Sequence, residues 1–137
     1  MKDYLNDWTK NIVSRTSLDL KQSVEVDGTR DQHLGGRWET ARIRITAKPH
    51  DCFLVTTDML INELELVKYG YLDWAIMGLL DILLVSEAYP LRNVHIKFLE
   101  ADIHPVNASQ MAFRQAGRDA ARKLLQVVKN NAFIPPL

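Results

Sequence analysis

The chain reads as an α+β domain with its helices packed on one face of a sheet. Three observations predict this. Segments 17–26, 41–48 and 91–99 alternate apolar and polar residues, the two-residue period of half-buried strands. Two further segments, 71–88 and the stretch after Asn107, have the length and composition of helices. The order helix, strands, helix, strand, helix then lets one side of a sheet be covered by helices within a single domain, which 137 residues are enough to build.

Taken in order, Tyr4, Leu5, Trp8 and Ile12 recur at three-to-four spacing and predict a short amphipathic helix over 3–14. Leu18, Leu20, Val24 and Val26 mark the first strand. The charged run that follows, "DQHLGGRWET", is expected to form a long loop over 32–39 with Gly35, Gly36 and Arg37 at its centre. In the next strand Ile43 and Ile45 point one way and Arg42, Arg44 and Thr46 the other; Pro49 ends it because proline has no N–H for the ladder. Residues 52–57 fit a third strand and 60–67 a short helix.

The stretch "YLDWAIMGLLDILLVSEA" is helical by length. Val94, Ile96 and Phe98 alternate with His95 and Lys97 in a strand expected to end at Leu99. Next, "EADIHPV" is expected as a loop, and "NASQ" has the form of a capping box, with Asn107 as cap and Gln110 reaching back. Phe113, Ala116, Ala120, Leu124 and Val128 stripe one face of the last helix.

Composition narrows the function. Seventeen basic and seventeen acidic residues cancel, so any attraction to nucleic acid has to come from a local patch. The single cysteine, Cys52, excludes an internal disulfide and reads as a small buried hydrophobe, consistent with a cytoplasmic location. Residues 1–10 have no continuous apolar core for a signal peptide. Residues 69–85 are too short, and too interrupted by Asp73 and Asp81, for a membrane span. No HExxH, GxSxG, Walker or GxGxxG motif is present, and His33, His50, His95 and His104 lie far apart in the sequence. The expectation is a protein that is not an enzyme and holds no metal or cofactor.

Three features remain as candidate binding elements. The paired glycines permit close backbone approach to a partner, or simply form a mobile hairpin end. His104 sits between a strand and a capped helix. Arg114, Arg118 and Arg122 are four apart, so they line one helix face as a phosphate-reading ridge or a solvated one.

These same segments resemble domain IV of the translocation GTPase elongation factor G and its relatives. "YPLRNVHIKFLEADIHPVNASQMAF" is similar, without a gap, to the family's Gly-Tyr-Pro strand opening and its His-x-Val-Asp-Ser-Ser-Glu-Met-Ala-Phe turn into a helix. Residues 27–49 resemble the family's Gln-Ser-Gly-Gly-Arg-Gly-Gln-Tyr-Gly hairpin, also ungapped. Tyr71, Gly78 and the "FIPPL" ending fit as well, and residues 52–68 match least.

The resemblance implies a ribosomal protein S5 domain 2-like fold with a left-handed βαβ crossover, against the usual right-handed rule. It divides the chain into an N-terminal helix and strand extension over 1–26 and a domain IV-like body over 27–137. It further implies two tips that contact the ribosome, transfer RNA and messenger RNA: Gly35, Gly36, Arg37 and Glu39 on one, and His104, Pro105 and Val106 on the other. The histidine region of the eukaryotic relative bears diphthamide.

Trp38 and Glu39 stand where the family has glycine and glutamine, making the first tip bulkier and more acidic; Ala101 and Asp102 alter the approach to His104. The GTPase domain is absent, so the activity would need a separate GTPase subunit, and Met1 with the extra helix points to a separate gene.

The helix over 71–85 is apolar around most of its girth. Ile76, Met77 and Leu80 stand where the family usually has charged residues, and with Trp74 they predict a surface covered by the extra N-terminal helix or by a second copy, a homodimer being the preferred version. Two functions compete: a non-catalytic ribosome- or RNA-binding module, and a protein-interaction domain with idle tips.

Overall fold

The structure is a computed structural model describing residues 20–58, 63–85 and 91–132, with the side chains of Leu34, Arg37, Asn131 and Ala132 outside the description. The expected N-terminal helix and the start of the first strand lie outside the described residues. So does the C-terminal tail.

Four strands form one mixed sheet in the order β1-β2-β4-β3, where β1 is Val24–Leu34, β2 is Arg37–Pro49, β3 is Leu54–Thr57 and β4 is Val94–Ile103. The β1–β2 and β2–β4 pairs are antiparallel and β3–β4 is parallel. Helices α1 (Glu63–Lys68) and α2 (Tyr71–Leu80) connect the parallel pair. A π-helical turn over Asp81–Val85 extends α2, and the long α3 (Gln110–Ala132) follows β4.

Side-chain parity does what the alternation predicted on β2. Ala41, Ile43, Ile45 and Ala47 are buried, while Arg42, Arg44 and Thr46 face away from the core. The predicted stripe of α3 is wholly buried against this face.

Two boundaries differ from expectation for a physical reason. The 32–39 segment is not a long loop. β1 and β2 pair without interruption to Leu34↔Arg37, and only Gly35 and Gly36 turn the chain. Their φ values of 55° and 82° are the doubly left-handed geometry of a tight two-residue hairpin, which glycine adopts without steric cost. Similarly, β4 does not stop at Leu99. The register shifts from Ile45↔Phe98 to Arg44↔Glu100, leaving Leu99 as a bulge, so the buried parity passes from Val94, Ile96 and Phe98 to Ala101. Alternation read without that extra residue breaks at Leu99, although the strand continues.

α2 and α3 cross at unusually close range. A Cβ on Gly78 would lie 2.0 Å from the Arg114 carbonyl oxygen, and one on Gly117 would lie 2.2 Å from that of Ala75. Each helix therefore meets the other at a glycine. The crossing helps bury Ile76 (1% exposed) and Leu80 (8% exposed) within the chain. This corrects their assignment to an oligomer interface: the apolar girth of α2 is largely consumed by its own domain. Trp74 and Met77 remain half-buried.

Cys52 is also corrected. It is half-buried in the loop before β3, with its sulfur 3.6 Å from His50 Nδ1.

Candidate functional site: two adjoining tips

The β1–β2 turn and the segment joining β4 to α3 lie side by side. Beyond the last β2–β4 pair, Ala41↔Ile103, the Thr40 N–H donates to the Asn107 carbonyl at 3.1 Å. Two chain segments far apart in sequence thus share one end of the sheet. Between them is a cleft of ≈ 320 Å³ lined by Gly36, Trp38, Val106, Asn107, Ala108 and Ser109. Gly36 comes from the first expected tip and Val106 from the second.

On the first tip, Trp38 is 49% exposed and its ring lies 5.0 Å from that of His33, its cross-strand partner. Side-chain parity carries Glu39 to the other face. There it is 3% exposed and accepts a hydrogen bond from Arg30 Nη2 at 3.0 Å. Glu39 is therefore a buried counter-ion and not an exposed acidic tip residue, and the first tip is less acidic than its sequence implies. Arg37 is the last-paired residue of the hairpin.

On the second tip, His104 is exposed and organises its own loop. Its Nδ1 accepts from the backbone N–H groups of Val106 at 3.2 Å and Asn107 at 3.0 Å, and its carbonyl accepts from Ala108 N–H at 3.3 Å. Because Nδ1 is the acceptor, Nε2 carries the ring proton and is the nitrogen left for a partner. Val106 projects with 83% of its surface exposed, beside exposed Pro105.

The predicted capping box takes another form. Ser109 Oγ accepts from Ala112 N–H at 3.0 Å, making Ser109 the cap of α3, while Gln110 Nε2 donates to the Tyr69 carbonyl at 3.1 Å. One serine moves the cap two residues beyond Asn107, whose carbonyl is committed to the hairpin.

The arginine ridge is mostly spent inside the fold. Arg114 donates to both carboxylate oxygens of Asp81 at 2.8 and 3.0 Å, and Arg118 donates to Oδ2 at 2.8 Å. Burial by itself raises the Asp81 pKa, but the hydrogen bonds and charges of Arg114 and Arg118 outweigh it and hold the carboxyl below its ordinary range. Only Arg122 stands exposed. Asp81, the first residue of the π-helical turn that extends α2, lies opposite these arginines, a partnership no sequence spacing announces.

Asp102 and Glu100, which precede the second tip, are likewise paired: both with Arg42, and Glu100 also with Arg44. Two histidines do meet: the rings of His50 and His95 are 5.8 Å apart. Among the described residues no group of three His, Cys, Asp or Glu side chains is placed to hold a metal ion, and no helix is long and apolar enough to cross a membrane.

This architecture is an α+β module with a four-stranded mixed sheet and helices, compatible with a ribosomal protein S5 domain 2-like fold. No family model matches the chain. It is similar to a crystal structure of a protein from Thermus thermophilus, with a TM-score of 0.66 and 17% identity over 75% of this chain. The match spans 16% of that protein's length and shows a shared fold.

Proposed function

We propose that this chain is a non-catalytic, translation-factor-like module that contacts the ribosome, or its bound transfer and messenger RNA, through the two adjoining tips. The observation that supports this most is the Thr40–Asn107 bridge, which sets the tips side by side around one cleft. An unpaired base has a π-face that stacks on an exposed indole without sequence preference, and Trp38 offers such a face at the cleft edge. The His104 Nε2–H adds a donor on the neighbouring tip. The competing reading, a homodimer through the apolar helix, is weakened by the burial of Ile76 and Leu80 within the chain.

Ribosome co-sedimentation of the wild type and Trp38→Ala tests the reading. Stacking contributes about 1–3 kcal/mol per base, so the variant should pellet at least about fivefold more weakly. Equal pelleting of the two forms, or none by either, refutes the tip mechanism.

A further inference from the structure

The outer face of the sheet, opposite the helices, carries charge in two arrangements. Toward the hairpin, Arg42 and Arg44 are bonded to carboxylates on both neighbouring strands: Asp27 on β1 and Glu100 on β4. Toward the far end, the same face carries Lys48, His95 and Lys97, with His50 in the loop after β2. Neither lysine has an ion pair among the described residues.

Register turns these residues into a cluster. Lys48 lies directly across from His95, and Lys97 projects two residues further along the same side of β4. The His50 ring meets His95 edge-on. From β3, the Thr56 hydroxyl sits 2.6 Å from His95 Nε2, which leaves Nδ1 outside that contact. The His50 Nδ1 is turned to the backbone of Cys52, which leaves its Nε2 outside. Among the described residues the carboxylates flanking the cluster are Asp51, exposed in the loop, Glu25, across from Thr46, and Asp58, exposed just past the end of β3 beside Lys97; none is in an ion pair with these groups.

Positive groups gathered without a counter-ion repel one another, and an anion placed among them relieves that repulsion. We propose that Lys48, His50, His95 and Lys97 form a binding site for a phosphate dianion, at the opposite end of the sheet from the two tips. Two lysines and two imidazoles match the double charge of a free or terminal phosphate better than the single charge of a phosphodiester. The site is separate from the proposed RNA contact: at about 3.3 Å per residue, roughly 35 Å of strand lie between Lys48 and the hairpin turn.

Occupancy is coupled to protonation of His95. Burial, and then the fields of His50, Lys97 and Lys48, hold the His95 pKa below its ordinary value. A bound dianion offsets those fields and raises it, so by linkage the anion binds more tightly as the pH falls through the His95 titration.

The test is NMR of the full chain, following the His50 and His95 ring signals during titration with sodium sulfate. Sulfate is a tetrahedral dianion whose charge stays constant over about pH 5–8, the window in which histidine titrates. Expected are saturable shifts of both rings and a rise in the His95 pKa of about half a unit or more, which corresponds to about threefold tighter binding to the protonated form. Lys48→Gln and Lys97→Gln should each weaken binding at least threefold while the amide spectrum stays that of the folded chain. Inorganic phosphate and adenosine 5′-monophosphate distinguish the source: equal affinities assign the phosphate group alone, and tighter nucleotide binding assigns a terminal nucleotide phosphate. Shifts that grow linearly and equally with sodium chloride overturn the site. So does wild-type sulfate affinity in the lysine variants, and pH-independent binding overturns the coupling.

Discussion

Replacing Asp81 by alanine removes the acceptor of three charge-assisted hydrogen bonds and leaves Arg114 and Arg118 facing each other without a counter-charge. In proteins such bonds contribute a net of about 1.5–3 kcal/mol each. Here the sum has to be discounted, because the three side chains keep 25–29% of their surface in water. Arg114 also retains its position 5.8 Å from the centre of the Trp74 ring, a contact the substitution does not touch. The expected cost of Asp81→Ala is then about 2–3 kcal/mol, or a fall in Tm of about 6–15 °C for a domain of this size.

Arg122→Ala on the same helix, at an exposed position, should stay within about 0.5 kcal/mol of wild type. Chemical denaturation of the three proteins measures both values. The pH dependence is a second readout. Asp81 has a depressed folded-state pKa, so its contribution is fully present above the unfolded-state value of about 3.9 and is lost as pH falls through the lower folded value. The gap between wild type and variant should therefore close in that acid range. Stability of Asp81→Ala equal to wild type at neutral pH would refute the view that these arginines are structural partners.

Three further outcomes follow from the geometry. Gly36→Val should cost about 1–2 kcal/mol from backbone strain alone, since nothing lies within 4 Å of an added Cβ, and thermal denaturation measures it. Gly117→Ala should be more damaging, about 3 kcal/mol or more, because its Cβ would overlap the Ala75 carbonyl and drive α2 from α3; urea unfolding of Gly36→Val and Gly117→Ala ranks the two. Glu39→Ala strands the Arg30 guanidinium, whose Nε is already buried without a partner among the described residues. A loss of about 2–3 kcal/mol on denaturation is expected, where an exposed tip acid would cost almost nothing.

Much of the sheet was legible in the sequence because period-two alternation is a local property. Ile43, Ile45, Val94, Ile96 and Phe98 are buried as their spacing implied. The α3 stripe was legible for the same reason. Strand ends were harder: the Leu99 bulge shifts parity, and the charged residues beside Gly35 and Gly36 form a paired ladder where a loop was expected. The two segments adjoin at one end of the sheet, but what their side chains do was not legible, since Glu39 turns inward and His104 turns back onto its own loop.

By itself the sequence determined the alternating and helical segments, the helix-covered face of the sheet, and the glycines at a hairpin turn. Each follows from near neighbours along the chain. Tertiary structure alone decided which charges are free. Arg114 and Arg118 are consumed by Asp81 across a helix crossing, and Arg30 consumes Glu39 across the hairpin. Lys48 and His95 meet through strand register, and Lys48 has no ion pair among the described residues. A charge acts through distance in space, and distance in space is set by packing and register that no single segment contains.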